Sequence, residues 1–539
     1  MTPTWIRLPM PHDFRSLLNR RWSALRLTVV CLILGGAGSL ASSQSIRDYA
    51  ILVRGEPAGR LLINTTDPTW TESDMRFSDN GRGPQLYEHW RHDSTGRPTT
   101  YTASGQSTFG AAIEEQFQFD GAGRLTWRSR VDQGNEPAAA DQVFVPMEPS
   151  PAMVAQIAAH VLARPDRRAP LRGGSEARAE LVRTTTLKAG AGEPVPIALV
   201  AVTGIDSDPW FVWLENRPGY PLFASLDTRI QIIASGHEAS AAALIAEQLQ
   251  AEDARWAALQ KKLAIPLQGI TLIHNARWFD PHAMRLEGPS DLWLHDGRIA
   301  SITRPDNARI VPDHLIDASG HTLLPGLIDT HVHYSADQGF SRLAAGVTTV
   351  RDMGGNNERV RTLQQRLARG EMAGPTVVAA GFIEGRSRFS SRNGFVVDTL
   401  DEARSAVRWY AANGYRTLKL YSSIRPEWVD PIIRMAKRRG LRVTGHVPAF
   451  MRAEDAVLAG YDELAHINQV LLNFVSRPGD DNRTLDRFTR VGDDAQFFRP
   501  QGAEARRFID LLKARGTVVD PTLVAFESMY TQQQREPNP

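Results

Sequence analysis

One stretch constrains this chain more than any other: the apolar run of residues 323–330, which leads into His331 and His333. Side chains on a strand alternate between its two faces, so these histidines project to the same side, about 7 Å apart along the backbone. That spacing lets both imidazoles converge on one cation. Taken alone, the pattern fits equally well two histidines that cap a buried strand and are satisfied by hydrogen bonds.

Three further strand-like segments follow, and each has one potential metal ligand near its C-terminal end. These residues are Lys419, His446 and His466, at intervals that each fit one compact strand-helix unit. Because helical segments separate the strands, consecutive strands run parallel and present these side chains at one rim. The repetition favours a metal site over a chance His-x-His pair.

With the motifs D-x-H-x-H and K-L-Y, these segments resemble the amidohydrolase superfamily, and more narrowly its prolidase-like and imidazolonepropionase-like branch. The resemblance implies an α/β fold, a TIM-barrel-like (β/α)8 barrel in which carbon dioxide carbamylates the lysine of strand four. It implies a divalent metal cofactor, two zinc ions bridged by the carbamylated lysine. The metal ligands so implied are His331, His333, Lys419, His446 and His466.

The resemblance also implies the activity, a hydrolase that cleaves carbon–nitrogen bonds of amides, cyclic amides or dipeptides with a metal-activated hydroxide. A lactonase or phosphotriester hydrolase on the same barrel stays open, because the metal site does not select the electrophile. From another class, the chain could be a catalytically inactive secreted binding protein that uses a β-rich domain for recognition. Barrel loops such as residues 381–394 match no motif, so substrate-binding residues stay unassigned.

The barrel pattern stops after its seventh predicted strand, residues 517–523. In the family an aspartate at the end of strand eight binds metal and shuttles the proton, but no aspartate follows Asp520. Asp520 itself lies in strand seven, so we do not assign that role to it, and the catalytic residue stays unknown. We expect a C-terminally truncated barrel that is incomplete after strand seven and a chain that is inactive as printed.

Residues 1–43 have the order of a secretory signal, in which arginines precede an apolar run, residues 27–34, and then small residues. The apolar run is shorter than the ~20 residues that span a bilayer. We therefore expect cleavage near residues 41–43 and a periplasmic or secreted protein with no stable membrane span; an uncleaved anchor is the alternative. The only cysteine, Cys31, lies in this segment, so the mature chain would have no disulfide.

Hydrophobic periodicity divides the rest of the chain into four parts. We predict a β-rich antiparallel domain over residues 44–236, a connector helix over 237–265, a small β-sandwich segment over 266–323 and the incomplete hydrolase barrel over 324–539.

The β-rich domain offers no chemistry that the sequence reveals. Its histidines stand at no ligand spacing and are expected to be surface or packing residues: His89, His92 and His160. Several of its aromatic residues are expected in the core: Tyr87, Trp90, Phe117 and Trp127.

The charge of the chain argues against nucleic acid as a partner. Over 539 residues the formal net charge is +2, with 23% charged residues, so no electrostatic footprint for a polyanion is evident. We expect a small-molecule substrate, and homo-oligomerisation stays open.

Overall fold

A computed structural model describes residues 45–67, 69–187, 194–206, 208–216, 221–305, 310–477 and 479–531. The predicted signal peptide, residues 1–43 with Cys31, lies outside them and stays a prediction. The described part of the chain contains no helix that is long and apolar enough to cross a membrane.

An antiparallel sheet forms the N-terminal part. Its strands are β1 (Ser45–Val53), β2 (Glu56–Asp67), β3 (Trp70–Phe77), β4 (Gln85–His92), β5 (Pro98–Gln106), β6 (Ala112–Phe119), β7 (Arg124–Arg128), β8 (Gln133–Pro137), β9 (Arg168–Pro170), β10 (Glu176–Leu187), β11 (Val195–Thr203), β12 (Trp210–Glu215), β13 (Leu222–Leu226) and β14 (Ile230–Ala234). The order runs from β8 to β1 and continues from β14 to β9. The first and last strands are therefore neighbours at the centre of the sheet, and each half is a meander of consecutive hairpins.

A helix that the sequence analysis did not predict, α1 (Pro151–Ala163), packs against this sheet. Ser150 caps it, since its Oγ accepts a hydrogen bond from the Met153 amide, and proline occupies the first helical position. The helix is buried on nearly all sides. It therefore lacks the polar stripe by which an amphipathic helix is recognised in a sequence.

The aromatic core of the sheet follows the alternation of its strands. Trp90, Phe117 and Trp127 are buried, as predicted, whereas the prediction for Tyr87 was wrong because 41% of its surface is exposed. Tyr87 and Trp90 are three positions apart on β4, an odd spacing that puts them on opposite faces. His160 is buried in α1, where its Nδ1 lies 3.1 Å from the Thr95 carbonyl oxygen.

A long helix and a small sheet link the N-terminal sheet to the C-terminal part. The helix is α2 (Ala241–Leu263), and the strands are β15 (Ile270–Asp280), β16 (Arg285–His295), β17 (Arg298–Thr303), β18 (His314–Asp317) and β19 (Thr322–Leu323). The order is β17-β16-β15-β18, and β19 also pairs with β15.

Strands and helices then alternate. The strands are β20 (Leu327–Val332), β21 (Val347–Asp352), β22 (Thr376–Gly385), β23 (Phe395–Val397), β24 (Thr417–Leu420), β25 (Arg442–Gly445), β26 (Glu463–Ala465) and β27 (Val518–Asp520). The helices are α3 (Gly339–Ala344), α4 (Asn357–Ala368), α5 (Leu400–Ala412), α6 (Pro426–Arg438), α7 (Ala453–Ala459), α8 (Ile467–Val475), α9 (Asp486–Asp493), α10 (Ala503–Arg515) and α11 (Leu523–Thr531). The parallel order is β20-β21-β22-β24-β25-β26-β27, with the short β23 on β22. The predicted order of the seven barrel strands is therefore present.

Helix α5 shows how the sequence builds this layer. The Thr399 Oγ1 accepts a hydrogen bond from the Glu402 amide and so caps the first turn. The carboxylates of Asp401 and Glu402 in that turn interact favourably with the positive end of the helix dipole. One face places Ala403, Val407 and Tyr410 in the core. Burial of a side chain such as valine stabilises by about 1.5–3 kcal/mol, which is enough to fix this face against the sheet.

The parallel sheet curls until its two edges meet through side chains. Arg351 at the end of β21 forms a double hydrogen bond with the Glu463 carboxylate of β26, with N–O distances of 2.8 and 2.7 Å. His331 of β20 contacts Asp520 of β27 at 2.8 Å. These strands stand at or near opposite ends of the order, so the sheet is a nearly closed barrel whose C-terminal rim is narrow. Within the described residues, β20 and β27 are not paired with each other.

The N-terminal sheet packs over that rim. Its Asn80-Gly81 turn, between β3 and β4, lies against the ring of Phe389 in the barrel loop after β22. In the turn between β5 and β6, Phe109 contacts Phe488 of α9 with a distance of 5.0 Å between ring centroids. Two hairpin turns of the sheet therefore reach the end of the barrel where the predicted ligands lie.

Candidate active site

The structure brings the five predicted metal ligands together at one rim. His331 is the penultimate residue of β20 and His333 follows that strand directly; Lys419 lies in β24. His446 and His466 are the first residues after β25 and β26. Because parallel strands point their C-terminal ends the same way, strand-end side chains meet at this rim.

The mutual distances are short. The Lys419 Nζ lies 3.2 Å from the His331 Nε2. The ring centroid of His466 is 4.6 Å from that of His331 and 4.8 Å from that of His446, and the rings of His331 and His333 are 6.1 Å apart. Four imidazoles and one amine thus share a space a few ångströms wide.

Three of the imidazoles are oriented by a hydrogen bond at Nδ1. The His331 Nδ1 donates to the Asp520 carboxylate at 2.8 Å, and the His333 Nδ1 donates to the Gly354 carbonyl oxygen at 2.7 Å. The His466 Nδ1 lies 2.8 Å from the Thr522 hydroxyl. Metal-binding histidines typically have such an outer partner, which leaves the Nε2 lone pair available.

His446 has different surroundings. Its Nδ1 lies 2.9 Å from the Ser422 Oγ and 3.1 Å from the Nη1 of Arg487, and its ring lies against that of Tyr421 with centroids 3.8 Å apart. The backbone fixes its position as well, because its amide donates to the carbonyl of β24 residue Leu420. His446 is therefore the imidazole of this set whose Nδ1 lies beside a guanidinium group.

Burial keeps the imidazoles of the site neutral. It lowers the pKa of His333 to about 3 and those of His446 and His466 well below the usual value. Burial, followed by the charge of Arg487, lowers the pKa of Lys419 to about 7. A neutral imidazole is the form that binds a metal, and a neutral amine is the form that reacts with carbon dioxide.

Asp520 stays ionised beside these groups. Its burial opposes ionisation, but the hydrogen bond from His331 and the charge of Arg351 outweigh it and lower the pKa of the Asp520 carboxyl. The Arg351 Nη2 lies 3.2 Å from Asp520. This carboxylate therefore fixes the His331 ring with the Nδ1 proton in place.

Backbone strain is concentrated at the same rim. His466 and Thr522 have positive φ angles of 71° and 49°, which side-chain-bearing residues rarely adopt. The two residues follow neighbouring strands and contact each other through the His466 Nδ1 and the Thr522 hydroxyl. Such strain persists where surrounding contacts hold it, and it is typical of functional sites.

The donor set fits a divalent metal in its chemistry. Neutral imidazoles with outer hydrogen bonds are typical zinc ligands, and the lysine offers the position for an anionic bridge. As the side chains stand, no group of three or more His, Cys, Asp or Glu residues in the described ranges is arranged to hold a metal ion. The Lys419 amine fills part of the intervening space, at 3.2 Å from the His331 Nε2.

The ligands open into a cavity of about 1880 Å³. The barrel forms one wall, and the N-terminal sheet forms the other through Arg82, Phe109 and Trp210 among others. The cavity is large enough for a small organic substrate, and both parts of the chain would contact it.

Sequence reasoning missed the residues that complete the site. Asp520 was left without a role because the family places its aspartate on strand eight, yet it contacts His331 directly. Arg487 and Arg82 follow no motif. Only the packing of α9 and of the β3–β4 turn brings them to the rim, so no local pattern in the sequence reveals them.

Comparison with known proteins agrees with these motifs. No family model matches the chain. An enamidase of Eubacterium barkeri is 27% identical over 206 residues, which cover 32% of this chain and 50% of the enamidase. A dihydroorotase of Syntrophus aciditrophicus (strain SB) is 40% identical over 62 residues, 12% of this chain and 14% of that protein. The chain thus spans half the length of the enamidase and a smaller share of the dihydroorotase.

Solved structures that match part of the chain include a Xaa-Pro dipeptidase with bound methionine, with 21% identity, a TM-score of 0.36 and coverage of 50% of this chain and 70% of that chain. Bottromycin amidohydrolase matches with 21% identity, a TM-score of 0.36 and coverage of 44% and 51%. The sequence relatives support the resemblance of this chain to the amidohydrolase superfamily, which the strand-end residues His331, His333, Lys419, His446 and His466 indicate.

Proposed function

We propose that this protein is a metal-dependent hydrolase that cleaves a carbon–nitrogen bond of a small-molecule amide. One observation carries the proposal, the meeting at one rim of four neutral imidazoles and a buried lysine from successive parallel strands. The sequence relatives support the same reading, since an enamidase and dihydroorotases are among them.

The residues divide into two pairs around the lysine. His331 and His333 would hold one divalent metal and His446 and His466 the other, with zinc as the expected ion. Lys419 lies between them. When bound, the metal supplies Lewis-acid activation of the substrate carbonyl and of water.

The protein groups have separate tasks. Asp520 and the Gly354 carbonyl hold the rings of His331 and His333 with their Nδ1 protons outward, so that Nε2 faces the cavity. The buried Lys419 amine would form a bond from Nζ to the carbon of carbon dioxide and release a proton to solvent. The product would be a carbamate, which would supply the negative charge that neutral imidazoles lack.

Metal content tests the ligand assignment. Zinc per chain would be measured by mass spectrometry after dialysis for the parent protein and for His333→Ala, His446→Ala and Lys419→Ala. Each variant should bind less zinc. The matched control is His295→Ala, an exposed histidine of the small sheet, which should keep the parent content. Equal zinc in all variants would show that these side chains are not the ligands.

A substrate panel tests the reaction class. Zinc-loaded protein, supplied with bicarbonate, would be assayed with small amides, cyclic amides, lactones and phosphotriesters. Turnover of amides with loss in His446→Ala supports the proposal. Turnover confined to lactones or phosphotriesters replaces it, and tight substrate binding without turnover indicates a binding protein.

A further inference from the structure

Two arginines face the candidate active site without a carboxylate partner. Arg487 of α9 is only 6% exposed, its Nε has no hydrogen-bond partner, and its Nη1 lies 3.1 Å from the His446 Nδ1. Arg82 is half-buried at the start of the segment that leads into β4. Both line the cavity, and within the described residues neither forms an ion pair with a carboxylate.

The two guanidinium groups share one aromatic ring. The Cζ of Arg82 lies 5.3 Å from the ring centroid of Phe488, and that of Arg487 lies 4.9 Å from the same centroid. Arg82 also lies 5.4 Å from the ring of Phe109. The N-terminal sheet thus places one cation, and the barrel the other, around a single hydrophobic platform.

The turn that carries Arg82 is held firmly. Asn80 and Gly81 both have positive φ, 48° and 83°, as in the tight hairpin turns that favour Asn-Gly. A Cβ on Gly81 would come within 2.1 Å of the Phe389 ring, so the turn is in close contact with the barrel. The position of Arg82 at the cavity is therefore fixed by packing and does not depend on a flexible loop.

The other arginines of the cavity wall already have partners. Arg229 pairs with Asp79 and Arg342 with Asp329, while Arg54 donates to the Arg392 carbonyl oxygen and Arg359 to the Thr228 hydroxyl. A buried cation beside a second cation is costly unless an anion offsets the charge. This pair is therefore the place in the cavity where a bound anion would gain the most.

We propose that Arg82 and Arg487 form an anion subsite that binds a carboxylate group of the amide substrate, so that the N-terminal sheet determines substrate specificity. The inference rests on the proposed function, because it names the substrate of the same site. Since Arg487 touches His446, the carboxylate would lie within a few bonds of the scissile amide. Charge-assisted hydrogen bonds from two guanidinium groups provide both affinity and orientation.

The test compares two pairs of probes that differ only in charge. For binding without turnover, calorimetry on the zinc-loaded protein would use N-methylsulfonyl-L-alanine and its carboxamide, which lack a hydrolysable acyl group. For turnover, acetate release would be measured from N-acetyl-L-alanine and N-acetyl-L-alaninamide. The parent protein should prefer each acid over its carboxamide by about tenfold to a hundredfold, the range expected for charge-assisted hydrogen bonds.

Variants assign that preference to the two side chains. Arg82→Gln should reduce it to about threefold or less, through the dissociation constant and KM with little change in kcat. Arg487→Lys should retain part of it, and since Arg487 is buried, Arg82→Gln decides the outcome if Arg487→Lys does not fold. The control, Arg128→Gln, removes an exposed arginine of the same sheet and should leave the preference unchanged.

Each result has a defined meaning. An unchanged preference in Arg82→Gln, or no preference in the parent protein, overturns the subsite. If millimolar inorganic phosphate raises the melting temperature in an Arg82-dependent manner while acid and carboxamide bind equally, the pair binds free anions and the substrate proposal is wrong. A charge preference in binding without any acetate release supports the subsite and contradicts amide hydrolysis.

Discussion

The His331 Nδ1 donates a hydrogen bond of 2.8 Å to the Asp520 carboxylate, joining the first and the seventh strands of the parallel sheet. These strands are not paired through their backbones in the described part of the chain. The side-chain contact therefore connects β20 and β27 at the rim, where no backbone hydrogen bonds connect them. The same carboxylate accepts from Arg351, so both a cation and an imidazole hold it in place.

Replacement of Asp520 by asparagine should weaken metal binding more than it weakens the fold. Asparagine keeps the shape but loses the charge that fixes the His331 tautomer, and changes to such outer partners typically cost about 10–100-fold in metal affinity. Zinc retention would be measured against a series of chelator concentrations. Asp510→Asn, at an exposed position of α10, is the control and should match the parent. Equal retention in both variants would show that the contact does not support a metal ligand.

The ligand candidates could be predicted because their signals are local. His331 and His333 share one strand face, and Lys419, His446 and His466 each lie at or directly after the C-terminal end of a strand, so one pattern per segment is enough to find them. Asp520, Arg82 and Arg487 take their places through contacts between distant segments. The Arg82 side chain, for instance, reaches the site only because the turn at Gly81 packs on Phe389.

The fold shows the same division. The alternation of β4 predicts the burial of Trp90. The prediction that Tyr87 also lies in the core was wrong, because Tyr87 projects from the opposite face of the strand. Helix α1 was not predicted, because its apolar residues lie all around the helix and form no amphipathic stripe. The sheet order, with β1 next to β14, depends on a pairing between strands far apart in sequence, which periodicity does not encode.

Gly81→Ala should loosen the contact between the N-terminal sheet and the barrel. A left-handed conformation costs a residue with a Cβ roughly 1–2 kcal/mol, and the new methyl group would also meet the Phe389 ring at 2.1 Å. Urea unfolding should show lower stability, and the preference for acid over carboxamide probes should fall with it. Gly121→Ala, in a turn where a Cβ meets nothing within 4 Å, should change stability by less than about 0.5 kcal/mol. Equal effects at the two glycines would contradict the docking of the turn.

Arg351 and Glu463 should stabilise the fold only when both are present. Arg351→Met leaves the Glu463 carboxylate, 9% exposed, without its double hydrogen bond, and the loss of one partner of a buried pair typically costs about 3–5 kcal/mol. Arg351→Met combined with Glu463→Leu should recover part of that loss, because the double variant no longer has an unpaired Glu463 carboxylate, although Asp520 still lacks Arg351. Unfolding free energies of the single and double variants would be compared. Additive losses would mean that the two side chains do not interact in solution.

Glu384 should make the stability of the protein fall as pH rises. Its side chain is fully buried at the end of β22, and burial raises its pKa from 4.5 to about 8 even though the amides of Gly385, Ser391 and Ser423 donate to it. Between these two pKa values the folded protein holds a proton that the unfolded chain has released. The Glu384 contribution is therefore complete below about pH 4.5 and declines until about pH 8, by up to ~1.4 kcal/mol per pH unit.

The Glu384→Gln variant isolates this contribution. Glutamine cannot ionise, while its carbonyl oxygen can still accept from the amides of Gly385 and Ser423. Urea unfolding between pH 5.5 and 8.5 should therefore show a shallower loss of stability in Glu384→Gln than in the parent, since all other titrating groups are common to both proteins. Glu427→Gln, at an exposed position in the first turn of α6, should keep the parent slope. If the parent and Glu384→Gln lose stability with the same slope, Glu384 is ionised in the folded protein throughout this range, and the three backbone amides outweigh its burial.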